Sequence, residues 1–177
     1  RVEDWVDEEW LDPNKILRQP PPTAEELRGL RAAVPVVGGN YKALVDLLVE
    51  SGLVELMDQE PSVVNGLFAI EKDDSKDRLI VDARRANLHF IPPPPIYLPN
   101  PPSLASLEVL KGRRLVVGKS DMANMYHRLR VPAWLSRFFG LPPLNVDKKQ
   151  LWPVFVSLPM GFSHAVAWAQ RLHERIL

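Results

Sequence analysis

Arg78-Leu-Ile-Val-Asp82-Ala-Arg84-Arg-Ala-Asn87 runs from an apolar strand signal directly into a cluster of charged and amide side chains. Upstream, Asn65 to Ile70 carries a second strand signal, and the polar stretch from Glu71 to Asp77 between the two predicts a hairpin. Before the hairpin, a helix is expected to start near Asn40, with Tyr41, Leu44, Leu47 and Leu48 on one face and Gly52 as its stop. Earlier still, Thr23 followed by Glu26 is a capping-box pattern that predicts a helix from Ala24 to about Ala33. Downstream, Ile91-Pro-Pro-Pro-Pro-Ile-Tyr-Leu-Pro-Asn-Pro-Pro102 forces an extended crossing. Ser103 then caps an expected short helix through Leu110. Leu115-Val-Val117 reads as a short strand that delivers Asp121 near its end. Arg137 to Leu141 and Trp152 to Val156 are further strand candidates, and a helix from about Ala165 to Leu177 closes the chain. Strands and helices mix without a βαβ rhythm or an internal repeat, so the expected class is α+β.

The bulk properties agree with a folded chain. Of 177 residues, 46% are hydrophobic and 25% charged, and no stretch approaches a membrane span. Without cysteine, disulfides and thiolate metal sites are excluded. The first ten residues hold five acidic side chains, unlike a signal peptide, and a start at Arg1 points to a processed or trimmed product. The 22 basic and 22 acidic residues are unevenly spread. Residues 1–60 hold 6 Lys/Arg against 13 Asp/Glu, and residues 61–177 hold 16 against 9. A basic second part fits nucleic acid, and equally fits attraction between the two parts of the chain.

Most chemistry-bearing residues have a plain reading when taken singly. Asp121 is one carboxylate after a short strand, as a turn or helix cap would be. Lys72 and Arg78 suit phosphate, Arg through its planar fork and Lys as a mobile point charge, and they also suit a solvated hairpin. Leu158-Pro-Met-Gly161 is a turn whose glycine permits close backbone approach. His89, His127, His164 and His173 lack metal-ligand spacing. The proline run either crosses between two regions or offers polyproline II to an SH3 or WW domain. Trp5 and Trp10 dock on a partner or pack on this chain. Lys111, Arg113, Arg114, Lys119, Arg128 and Arg130 line a groove or a solvated surface.

In order and spacing, however, these stretches resemble reverse transcriptases of retrotransposon and retroviral type from about residue 45 to 177. Lys72, Arg78, Asp82, Arg84 and Asn87 resemble the fingers signature; Lys119-Ser-Asp121-Met-Ala-Asn-Met-Tyr126 resembles the first palm motif; Leu158-Pro-Met-Gly161 resembles the turn after the next palm strand. Met160 stands where many retroviral members carry glutamine. The resemblance implies the fingers and an incomplete palm of a right-hand polymerase fold. Residues 1–40 would be an acidic, proline-containing extension, 41–110 a fingers-like region with the crossing, and 111–177 a partial palm.

It further implies that Asp121 is catalytic and, with the Met122 carbonyl, binds Mg²⁺. Lys72, Arg78, Asn124, Met125, Tyr126, Met160 and Gly161 would contact the nucleotide, Tyr126 selecting deoxyribose. Asp82, Arg84 and Asn87 would be structural, the first two as a buried pair. Template–primer of RNA or DNA and deoxynucleoside triphosphates are the implied partners, in an intracellular setting. The family's Tyr-x-Asp-Asp hairpin is absent from the sequence, and the one Asp-Asp pair, Asp73-Asp74, lies in the expected fingers hairpin. The 177 residues by themselves are therefore expected to be inert. The alternative is a non-catalytic scaffold or interaction subunit, derived from such a polymerase and held by protein partners in a larger assembly.

Overall fold

A computed structural model of the chain describes residues 10, 12–30, 40–74, 76–98, 100–119 and 121–176. The class is α+β, with two small antiparallel sheets. The first is the hairpin of β2 (Gly66–Asp73) and β3 (Lys76–Asp82), paired from Gly66↔Asp82 to Asp73↔Lys76. The second has the order β1 (Val54–Met57), β5 (Lys149–Phe155), β4 (Leu144–Val146). Short helices precede and connect them: α1 (Ala24–Gly29) and α2 (Tyr41–Glu50) before the first strand, then α3 (Arg84–Asn87), α4 (Pro101–Ala105), α5 (Met125–Arg128) and α6 (Ala133–Ser136) between the hairpin and β4. A longer helix, α7 (Ala165–Ile176), follows the last sheet strand.

Local chemistry explains several boundaries. Thr23 and Glu26 form the full capping box at the start of α1, and Arg18 adds a 2.8 Å ion pair to Glu26. Thr23 N–H and Arg18 together hold the Glu26 carboxyl below its usual range. The expected end of α1 near Ala33 lies outside the described residues. Asn40 caps α2 through the Ala43 N–H, and Gly52 ends its exit at φ 71°. The face that α2 buries is Tyr41, Leu44, Val45 and Leu48; Leu47, expected inside, is 62% exposed. Tyr41, Leu44, Val45 and Leu48 form the i, i+3, i+4, i+7 set, and Leu47 falls outside that stripe. Tyr41 also donates to the Pro142 carbonyl at 2.6 Å, and burial raises its phenol pKa.

Three expected elements take another form. The strand at Leu115 to Val117 is absent: these residues are exposed, Val116 by 88%, and join no sheet. A strand needs a neighbouring backbone for its N–H and C=O groups, and no described segment supplies one. The helix expected from Ser103 to Leu110 is capped by Asn100 instead and stops at Ala105. Pro101 and Pro102 fit its first turn, where no N–H is needed, but Leu107 to Leu110 have no core to pack on. Arg137 to Leu141 runs beside β5 through isolated contacts, Phe155 N–H to Phe139 C=O and Leu141 N–H to Pro153 C=O. Pro142 and Pro143 remove the donors that would extend it.

The core gathers residues from distant parts of the chain. Ile16, Leu48, Val54, Leu67, Phe139 and Leu158 are all buried in one cluster. The segment before α1 belongs to it: Ile91 N–H donates to Ile16 C=O at 2.9 Å, and Arg18 N–H to His89 C=O at 2.8 Å. Trp10 packs on this chain, its ring 4.6 Å from that of Trp168, while Trp5 lies outside the described residues. Among the described residues, no helix is long and apolar enough to cross a membrane.

Candidate functional site

The β2–β3 hairpin grades from solvent to core along its length. Its far end is exposed, and β3 becomes buried at Val81 and Asp82. Near the tip the register shifts between Glu71 and Asp73, which leaves Lys72 at a bulge, where a side chain is re-aimed. Arg78 pairs with Ile70 across the strands, and its side chain is exposed. Two cationic side chains are thus held out toward one end of the hairpin.

At the other end β3 delivers Asp82 into the interior, its side chain only 5% exposed. Arg84, two residues on, folds back in a two-pronged contact: Nε to Oδ1 at 2.6 Å and Nη2 to Oδ2 at 2.7 Å. The carboxylate beside it raises the Arg84 pKa, and with the Arg84 side chain 44% exposed the expected buried pair is buried only on its aspartate side. One turn later Asn87 uses both ends of its amide. Its Nδ2 donates to the Gly161 carbonyl at 2.9 Å, and its Oδ1 accepts from the Ser163 N–H at 3.0 Å.

The turn at Leu158 to Ser163 is seated against β3 by a third bond, Val81 N–H to Met160 C=O at 2.9 Å. Gly161 is required there. Its φ is 119°, and a Cβ would lie 2.1 Å from the Val81 carbonyl oxygen. The turn's other side is tied to the segment after α5, by Leu158 N–H to Leu129 C=O at 2.7 Å and Val131 N–H to Val156 C=O at 2.9 Å. Tyr126, in α5, is half-buried and packs on the common core.

The loop before α5 is more open. Asp121 and Met122 are exposed. Asn124 adopts the left-handed conformation, φ 54°, and Arg128 Nε closes the loop with a 2.9 Å bond to the Ala123 carbonyl. Hydrogen bonds therefore bring Asp82, Arg84, Asn87, Met160 and Gly161 into one junction, with Met125 and Tyr126 joined to it through the Leu129–Leu158 contact. Lys72 and Arg78 stand at the far end of the hairpin, and Asp121 stands on the exposed loop. Of the basic residues, Arg130 pairs with Glu55 at 2.8 Å, whereas Lys111, Arg113, Arg114 and Lys119 are exposed. The partners of Asn87 and the aromatic cluster behind the turn went unseen in the sequence; no local pattern encodes contacts over such separations.

Among the described residues, no three His, Asp or Glu side chains cluster closely enough to hold a metal ion. One exposed carboxylate does not by itself supply the ligands of a two-metal centre. No protein-family model matches the sequence, and no curated protein matches it significantly.

Two histidines beside these elements give a pH-dependent stability. Burial lowers the pKa of both His89 and His127 below the ordinary 6.5. The unfolded chain then takes up protons first, so stability is full above that value and falls as pH drops through it. Thermal unfolding is expected to come earlier at about pH 5.5 than at about pH 7.5. Replacing both histidines with glutamine should shrink that difference; a difference left intact would assign it to other groups.

Proposed function

We propose that this chain is the fingers and incomplete palm of an RNA-directed DNA polymerase related to reverse transcriptases. What supports the reading is one junction. The Asp82–Arg84 pair, Asn87 and the Leu158–Gly161 turn resemble two separate motifs of that family, and Asn87 and Val81 bond directly to the turn. In this reading Lys72 and Arg78 grip the triphosphate, and Tyr126 sits beneath the sugar. Asn124, Met125, Met160 and Gly161 border the base and sugar. Asp121 with the Met122 carbonyl is this chain's contribution to the metal site. The remaining carboxylates would have to come from outside these 177 residues, and alone the chain does not polymerise.

A second reading, a scaffold subunit of polymerase descent, draws on the exposed apolar residues Leu104, Leu107, Leu110, Leu115, Val116 and Val117. Such a surface calls for a protein cover. The two readings separate on one sample. Binding of a labelled RNA–DNA template–primer, followed by anisotropy, is expected to weaken steeply with salt, because phosphate contacts release counterions. Converting Arg113 and Arg114 to glutamate should weaken it roughly tenfold. Absent or salt-insensitive binding would sink the polymerase reading and leave the scaffold. Primer extension with deoxynucleotides and Mg²⁺ is expected from neither the chain nor Asp121→Asn. Extension that Asp121→Asn abolishes would mean a second copy completes the site.

A further inference from the structure

We infer that Pro94-Pro95-Ile96-Tyr97 is a docking motif for a WW-type module, a small domain whose aromatic groove takes a polyproline II strand. The inference stands apart from the polymerase reading. Ile91, Pro92, Pro93 and Pro94 each precede a proline, which drives them out of the helical region, and each proline ring fixes its own φ. The only conformation that satisfies all of these is polyproline II, with three residues per turn. Continued through Ile96, that period puts Pro94 and Tyr97 on the same edge of the strand.

The segment is presented rather than packed. Among the described residues, no backbone hydrogen bond engages 92–98; the strand is anchored just before, by Ile91 N–H on Ile16 C=O. Pro92, Pro93, Pro95, Ile96 and Leu98 are exposed, and only Pro94 is partly covered. Tyr97 is 88% exposed, and its hydroxyl has no hydrogen-bond partner among the described residues. Beside it, Pro94 to Tyr97 line one side of an open groove whose other side is Gln170 and Glu174 of α7. An aromatic ring left in water at the end of a stiff proline ribbon gains more from a partner's pocket than from this chain. The prolines stiffen the ribbon before any partner arrives, which lowers the conformational entropy that docking costs.

The chemistry also selects the kind of groove. A proline pair followed at the second position by tyrosine fills two adjoining aromatic slots and leaves the hydroxyl for a polar group at the pocket's end. An SH3 groove takes its proline ligands with a cationic flank, and here no Asp, Glu, Lys or Arg occurs from Ala86 to Leu107.

Calorimetric titration of the 177-residue protein with a purified WW domain that accepts Pro-Pro-x-Tyr peptides tests this, with an SH3 domain run alongside. Saturable one-to-one binding to the WW domain alone is expected. Tyr97→Ala should weaken it about tenfold or more, and Pro95→Ala comparably, with thermal unfolding unchanged because both residues are exposed. No binding to the WW domain, binding that survives Tyr97→Ala, or binding to the SH3 domain would each overturn the assignment.

Discussion

Gly161→Ala is expected to cost about 3 kcal/mol or more of folding stability, read as a lower denaturation midpoint in urea. Two effects combine. The φ of 119° is one that an L side chain rarely adopts, and strain of that kind costs about 1–3 kcal/mol. The new Cβ would also sit 2.1 Å from the Val81 carbonyl oxygen and 3.3 Å from its carbon. Both atoms belong to the backbone of β3, so no side chain can swing away. Relief requires the turn to lift off the strand, which loses the Val81–Met160 bond and both Asn87 bonds. Each is worth about 1 kcal/mol. Gly52→Ala is the control: φ is 71°, but nothing lies within 4 Å of its Cβ, so only the backbone term applies. If the two variants lost equal stability, the turn would not be seated on β3 as described.

How much of this could be seen beforehand follows from the range of each interaction. The β2–β3 hairpin was legible because two apolar runs flank a polar stretch, and α1 because its capping box is local. The β4–β5 hairpin was missed. Its turn is Asp147-Lys148, with φ 48° and 65°, a left-handed pair that usually announces itself with glycine or asparagine. β1 was missed because it is short and does not alternate, with Glu55 and Leu56 both exposed. Leu115 to Val117 shows the opposite error: its residues favour a strand, but pairing is decided by whether another backbone arrives. At the candidate site, Asp82, Arg84 and Asn87 could be grouped because they lie within one short stretch. Their anchorage could not, since Gly161 and Ser163 are more than seventy positions away.

The same limit hid the ring cluster behind the turn, and there the second large effect is expected. Phe162 is 3% exposed and lies 5.0 Å from Phe90, 5.1 Å from Phe139 and 5.3 Å from both His164 and Trp168, ring to ring. Its side chain links Phe90, just after α3, with the Arg137–Leu141 segment and α7. Phe162→Ala removes the shared member of all four pairs and should cost about 3–5 kcal/mol, lowering the melting temperature by roughly 6–20 °C. Because Trp168 also lies against Trp10, the near-ultraviolet circular dichroism of the tryptophans should weaken in the same variant. Phe162→Leu keeps most of the volume and should lose markedly less. An alanine variant within about 1 kcal/mol of the parent would mean the rings repack without it. Combined with Gly161→Ala, the two losses should fall short of their sum, because lifting the turn already withdraws Phe162 from its neighbours. Full additivity would separate the turn's seat on β3 from the ring cluster; a shortfall would make them one device, holding the hairpin, the turn and α7 in a single geometry.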